Sequence, residues 1–447
     1  MTLVIAGASG FVGRALAAHL AAAGNEVTAL VRTPGSAPEE AREETVDLTD
    51  ARATAAAMRG ARAAYYLVHS MASGTAFPEL DLRLATTFGQ ACADAAIERI
   101  VYVGGLGAAP SSAHLTSRQE VGTALAAAGV PVVELRAAVV FGSGGISFEM
   151  VRYLTERLPM MVCPRWVRTR IQPIALRDLL AYLEQSLQVP SGVYEVGGND
   201  VTTYRSMIEV YGEVRGLRRR RIVDIPWLTP QLSSYWVDLV TPVDRKVSHA
   251  LIESLVTEVV VTDPAPAAAA FPVAPLGVRE AMRVALADQE EAVTRTLFER
   301  TSGLSDGIYT FTTELTIPDG RAGAVAADLH RIGGRFGWYG SAPGWVLRLL
   351  LGRLVGERLR RHRPPAIEHG ALVDWWQVSR AEPDELVLRS VGWFPGEAWL
   401  GYRVEDDRLH QVAAFRPRGI SGFLYWKLLT PVHRIAFARM ARRRLRG

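Results

Sequence analysis

The sequence predicts an α/β chain in two parts: a doubly wound parallel sheet over residues 1–275, then an α+β region over 276–447 built on antiparallel sheet. Three observations carry that reading. Apolar runs of strand length alternate with helix-length stretches through the first two hundred or so residues. A glycine-punctuated turn, GASGFVG, joins the first of those runs to the first helix. Beyond residue 308 the pattern changes to short aromatic and β-branched runs separated by turn residues, as an antiparallel meander requires.

The first strand, residues 3–6, has the length of a buried parallel strand and stops at the glycine turn. Gly7 lets the chain leave the strand sharply, and Gly10, lacking a Cβ, lets backbone N–H groups close on a pyrophosphate. Gly13 lets the following helix, 11–23, pack closely on the sheet. The phosphates would then sit at the positive end of that helix, beside the Ser9 hydroxyl. Gly7, Ala8, Ser9, Gly10, Phe11, Val12 and Gly13 are therefore the expected cradle of a dinucleotide, in a Rossmann-type domain.

The second strand, 26–31, ends at Arg32. An Asp or Glu near this place would accept hydrogen bonds from a ribose 2′-hydroxyl, whereas a guanidinium pairs with a 2′-phosphate, so NADP is favoured over NAD. The plainer alternative makes Arg32 one more surface arginine in a chain whose only lysines are Lys246 and Lys427. Residues 45–48 read as a third strand, with Asp47 and Leu48 placed to border an adenine and Asp50 to cap the next helix. A fourth strand, 63–68, ends at His69, Ser70 and Met71, which would line the pocket at the carboxyl edge of the sheet. A helix over 79–97 and a strand over 99–103 follow, the strand ending at Gly104 and Gly105, with Gly104 expected to border the cofactor at the carboxyl edge of the sheet. A helix over 117–128 and a strand over 132–135 complete the alternation, so the crossovers are right-handed and the sheet parallel.

Together GASGFVG, Arg32, the VDL run, YYLVHSM at 65–71, RIVYVGGLG at 99–107 and VVELRAAVVFGSG at 132–144 resemble the NmrA-like, atypical branch of the short-chain dehydrogenase/reductase superfamily. The closest likeness is to its bacterial YbjT-type proteins. It continues through TRIQPIALRDL at 169–179 and LTPQLSSYWVDLVTP at 228–242. The resemblance implies a bound NAD(P), in a family whose own function is poorly defined; the leading expectation is an NADP-dependent oxidoreductase acting on a hydrophobic carbonyl or enone.

Most catalytic members of that superfamily use a Tyr and a Lys four residues later. The lysine holds the ribose and lowers the tyrosine pKa. Here the two positions fall near His114 and Arg118, and no lysine precedes Lys246. His114 could act as a general acid and Arg118 could bind ribose or an oxyanion. The plainer reading leaves His114 in a polar loop and Arg118 on a solvated helix face. Hence two alternatives to an enzyme stand: a dinucleotide-binding redox sensor or regulator without turnover, and a lipid-binding or membrane-surface protein.

Cys92 and Cys163 supply neither a disulfide framework nor a metal cluster, and no apolar run approaches the length of a membrane span. A cytoplasmic protein without signal peptide or metal is expected. The net charge of +4 does not imply nucleic-acid binding. Past a sixth strand, Phe148, Met150, Met160 and Met161 suit either an apolar substrate pocket or core. Residues 263–275, DPAPAAAAFPVAP, read as a linker or exposed loop.

In the C-terminal part, strands are expected at 309–317, 372–378, 385–393, 399–404 and 409–415, with a helix over 421–445. That composition is helix-grip-like, a helix covering curved sheet, and its dense tryptophans suit a cavity for a small hydrophobic molecule or a packed core. The region resembles the C-terminal family of unknown function that accompanies YbjT-type proteins, through GWYG, DWWQV, GEAWLGY and FRPRGISGFLYW. It departs from that family at 345–363, WVLRLLLGRLVGERLRRHR. Both this stretch and the terminal ARRRLR are basic and apolar, a composition that can lie on an anionic membrane.

Overall fold

The computed structural model describes residues 1–69, 77–107, 113–225, 257–299, 308–333, 337–338, 362–391 and 395–445. They form two compact units, Met1–Thr155 with Pro159–Asp288, and Glu156–Leu158 with Gln289–Gly447. The division falls inside the helix Val278–Arg295, just past the boundary expected at 275/276.

The first unit is organised by seven parallel strands: β1 (Thr2–Ala6), β2 (Glu26–Val31), β3 (Arg42–Thr45), β4 (Ala63–Tyr66), β5 (Arg99–Gly105), β6 (Val132–Ala137) and β7 (Gly192–Val196). Their order is β7-β6-β5-β4-β1-β2-β3, so the direction of winding reverses at β1. Alternate residues of β1 feed opposite faces. Leu3 and Ile5 pack with Leu16 and Leu20 of α1 (Phe11–Ala22), and with Leu179 and Leu183 from the helix Leu176–Gln185. Val4 and Ala6 face the other way, toward the cluster that holds Phe88, Cys92 and Leu125. A sheet buried on both faces explains why these strands read as continuous apolar runs rather than alternating ones.

Three local expectations change. The third strand lies at Arg42–Thr45 rather than 45–48, because an edge strand tolerates the charged run REET. Asp47 and Leu48 therefore lie beyond its carboxyl end. Residues 263–275 are not a free linker. Ala265–Ala270 is helical, and Phe271 is buried edge-on against Tyr182 and Tyr194, each 5.1 Å between ring centroids. The Glu195 carboxylate fixes the entry to that segment by accepting from the Thr262 and Asp263 amides at 2.6 and 3.0 Å. The strand expected at 372–378 is broken by Asp374, whose φ of +54° makes a turn between Leu372–Val373 and Trp376–Glu382. The Asp374 carboxylate stabilises that turn, accepting from Trp338 Nε1 at 2.7 Å and from the His362 amide at 2.8 Å.

The second unit is a six-stranded antiparallel sheet with a long terminal helix, Gly419–Arg444. Its strands are β8 (Tyr309–Thr316), β9 (Leu372–Val373), β10 (Trp376–Glu382), β11 (Glu385–Ser390), β12 (Gly396–Glu405) and β13 (Arg408–Pro417), in the order β8-β13-β12-β11-β10-β9. The first strand pairs with the last, Tyr309 opposite Phe415 through Thr316 opposite Arg408. Trp338, Trp375, Trp376, Trp399 and Trp426 are all buried, so these tryptophans build core; Trp345 and Trp393 lie outside the described residues. The terminal helix is pinned by Trp426, which stacks on Phe415 at 5.2 Å and on Phe311 at 4.8 Å.

Two turns further, His433 sits among Tyr425, Trp426 and Phe437, with ring centroids 5.6–5.8 Å away. Burial there lowers its pKa from 6.5 to about 4. The unfolded chain then binds a proton at a pH where the folded unit does not. The contribution of neutral His433 is complete above pH 6.5 and is lost as pH falls toward 4. Chemical denaturation across that window should show His433→Phe gaining stability relative to the unaltered protein as pH drops, and a pH-independent difference would refute the assignment.

Candidate functional site

At the winding reversal, the carboxyl ends of β1, β2 and β4 enclose a cleft of about 570 Å³. Gly7, Ser9 and Gly10 form its floor, Arg32, Thr33 and Ser36 one wall, and Asp47 and Leu48 the end beyond β3. Leu67, Val68 and His69 continue it past β4. The glycine turn, Arg32, Asp47, Leu48 and His69, found separately along the sequence, thus meet in one cavity. Ser70 and Met71 lie outside the described residues.

The three turn glycines have different reasons for being there. Gly7 has φ +88°, and a Cβ on it would lie 2.8 Å from the Leu67 carbonyl. A Cβ on Gly13 would lie 2.2 Å from the Gly7 oxygen, so only glycine lets α1 settle against β1. At Gly10 the nearest protein atom would be 3.2 Å away. The fold asks least of Gly10, whose bare Cα borders the cleft at the uncapped N-terminus of α1. Unsatisfied N–H groups at such a helix end suit a pyrophosphate. Of the remaining turn residues, Ser9 is exposed in the cleft, while Ala8 is wholly buried and Phe11 and Val12 begin α1.

Charge is arranged along the far wall. The Asp47 carboxylate accepts from the Thr49 amide at 2.9 Å and hydroxyl at 2.8 Å, and these bonds, with Arg32 nearby, hold it below its ordinary value. Asp47 is therefore an anion with Arg32 beside it, a pair that can take ribose hydroxyl or phosphate. The loop after β2 is shaped by Glu43, whose carboxylate accepts from the Gly35 amide at 2.9 Å and the Ala37 amide at 3.2 Å.

Arg14 ties this loop to the glycine turn, donating from Nε to the Ser9 carbonyl at 2.9 Å and from Nη2 to the Ser36 carbonyl at 3.1 Å. The sequence reading missed it. Its one signal was a cation in the first turn of a helix, where the dipole disfavours positive charge unless it is held elsewhere.

At the other end, Arg118 is not on a solvated face. It is buried in α2 (Ala113–Ala126), its guanidinium donating to the Val103 carbonyl and, at 3.4 Å, to the Val68 carbonyl. It also lies 5.0 Å above the Tyr102 ring. Arg118 thereby clips the ends of β4 and β5 together beside His69. Desolvation by the cleft walls, then the Arg118 charge, lowers His69 to about 4 although its ring remains open to the cleft. His69 is a neutral imidazole near neutral pH, able to donate or accept but not to carry a charge. His114 falls in the first turn of α2 rather than in a loop, and its side chain lies outside the described residues.

Gly104 is set apart from the cleft. It is buried at the end of β5, where a Cβ would lie 2.6 Å from the carboxylate of Glu134. Tyr65, Tyr66 and Tyr102 are buried in the sheet and do not line the cleft. Burial raises Tyr65 and Tyr66 well above the usual phenol range and Tyr102 to about 12, its hydroxyl donating to the Arg118 carbonyl at 2.7 Å. Phe148 is likewise core, edge-on to Phe141 and Tyr211, and Met161 is buried, while Met160 is exposed. Among the described residues no group of acidic, His or Cys side chains could hold a metal, and no helix is long and apolar enough to cross a membrane.

Comparison with known proteins agrees with this geometry. Residues 7–138 match the family described as NAD(P)H-binding, and residues 308–440 match a family of proteins of unknown function, DUF2867. The chain thus carries an NAD(P)H-binding Rossmann domain followed by a DUF2867 domain. No curated protein matches it by sequence. Among solved structures it is similar to Bordetella bronchiseptica WbmG in complex with NAD and UDP: TM-score 0.51, 17% identity, covering 65% of this chain and 95% of that one. It is also similar to UDP-glucose 4-epimerase of Thermotoga maritima with UDP-glucose: TM-score 0.53, 12% identity, covering 66% of this chain and all of that one. At such identities the likeness is one of fold.

Two substitutions separate the roles of the glycines. Gly13→Ala should destabilise the first unit by about 1–3 kcal/mol in denaturant unfolding, because the helix must back away from the strand. Gly10→Asp should leave the melting temperature nearly unchanged and abolish NAD(P)H binding by filling the phosphate approach with a like charge. Arg14→Ala should weaken binding about tenfold by releasing one wall of the cleft.

Proposed function

We propose that this chain is an NADP(H)-dependent oxidoreductase of the NmrA-like, atypical short-chain dehydrogenase/reductase type, acting on a hydrophobic carbonyl compound. The observation that carries this reading is the continuous cleft from the glycine turn past Arg32 and Asp47 to His69. The pyrophosphate would lie on the N-terminus of α1, and the adenosine against Asp47 and Leu48. Arg32 supports the 2′-phosphate, hence NADP over NAD, even though WbmG was solved with NAD. A bound nicotinamide would supply hydride transfer. On the protein side, neutral His69 and the Val68–Val103 end held by Arg118 would orient the ring and its neighbour.

A second reading, a dinucleotide-binding sensor without turnover, is favoured by a specific observation. The guanidinium of Arg118 is engaged with two backbone carbonyls, and no lysine stands four residues after a tyrosine in this domain. Arg118 is thus a positioning group rather than a proton donor.

Calorimetric titration with NADPH, NADP+, NADH and NAD+ tests the cofactor first. NADPH should bind most tightly, and Arg32→Ala should weaken it at least about tenfold while leaving NADH unchanged. Equal loss for both would overturn the 2′-phosphate role. A carbonyl and enone panel with NADPH then divides the readings: substrate-dependent oxidation supports the enzyme, and unequal affinity for NADPH and NADP+ without turnover supports the sensor.

A further inference from the structure

The inner face of the terminal helix Gly419–Arg444 is unremarkable: Trp426, Met440 and Ala441 are buried. Its outer face is not. A helix at a protein surface normally turns polar residues outward, yet Leu424, Leu428, Val432 and Ile435 are 50%, 74%, 59% and 56% exposed. Spacings of four, four and three residues align them in one stripe, roughly 16 Å long at the helical rise. Arg439 and Arg442, both exposed, continue that face toward the C-terminus, and Lys427 and Arg434 flank it. No Asp or Glu occurs anywhere in residues 419–447.

We infer that this face docks on an anionic lipid bilayer. The helix would lie in the plane of the surface, its leucine, valine and isoleucine side chains entering the acyl boundary and its cations meeting headgroup phosphates. The apolar stripe alone would fit many partners, whereas the acid-free set of cations selects a negative surface. A second copy of the same face is disfavoured, since pairing would bring like charges together at the interface. An exposed apolar row rimmed by charge marks an interaction surface rather than a solvated one. This inference is independent of the dinucleotide reading, which concerns the other unit.

Flotation of the full chain with phosphatidylcholine vesicles, with and without phosphatidylglycerol, tests it. Binding should require the anionic lipid and weaken with salt. Arg439→Glu with Arg442→Glu should lower binding by at least about 25-fold, about fivefold for each cation removed. Leu428→Asp with Ile435→Asp should also lower it more than about tenfold. Circular dichroism and melting temperature should show that both variants keep the fold. Unaltered protein that stays unbound with anionic vesicles overturns the proposal, as does equal binding to neutral ones. A vesicle-indifferent dimer that Leu428→Asp splits would assign the face to a second copy instead.

Discussion

The approach of α1 to β1 is the constraint on which the first unit depends. With a Cβ at residue 13 standing 2.2 Å from the Gly7 oxygen, the helix can take its position only if that atom is missing. The turn between them must then reverse within Gly7 to Gly10, and Gly10 N closes it by donating to the Gly7 carbonyl at 3.0 Å. That geometry buries Ala8, points Ser9 outward and leaves the first amides of α1 without a side-chain cap. The open, amide-lined N-terminus of α1 is thus a by-product of tight helix–sheet packing, at the place where the strand order reverses and the strand ends part.

Around that floor, polar contacts fix the shape of the cleft wall. Arg14 and Glu43 serve the loop after β2 from opposite sides, one donating to carbonyls and the other accepting from amides. Their effect is to hold Thr33 and Ser36 at the cleft wall beside Arg32. At the His69 end of the cleft, one guanidinium does two things. It satisfies the carbonyls of Val68 and Val103, and its charge helps keep His69 neutral. A lysine there would be shorter and could not span both strand ends with a planar fork.

The sequence made the parallel sheet legible because strands buried on both faces must be apolar throughout, and glycines at 7, 10 and 13 have few other uses. That Arg32, Asp47, Leu48 and His69 would line one cleft was also legible, since the carboxyl ends of the strands part at the reversal of strand order. What was not legible depends on partners far away in sequence. Burial of Arg118 is decided by Val68 and Val103, and the docking of 263–275 by Tyr182 and Tyr194. The start of β3 was misplaced because an edge strand has no burial pattern to reveal it, and the break at Asp374 because a left-handed turn residue that is not glycine gives no signal. Gly104 read as a ligand glycine from its place after a strand, yet its Cα faces the buried Glu134, which also crowds Gly122.

The second unit shows how one helix can satisfy two opposed demands. On its inner side Trp426 stacks on strands from both ends of the sheet sequence, Phe311 in β8 and Phe415 in β13, so the helix docks where the first and last strands pair. Further along, Arg444 is buried with its guanidinium 4.1 Å above the Tyr402 ring and 3.7 Å from Asp328, an ion pair that needs both partners to be stable in that environment. The helix is therefore anchored near each end by aromatic contact, once through an indole and once through a cation. Anchoring of that kind leaves the outer face free of any role in holding the fold. A row of leucine, valine and isoleucine there lowers solubility without adding to the core, so its cause must be sought in what the face meets.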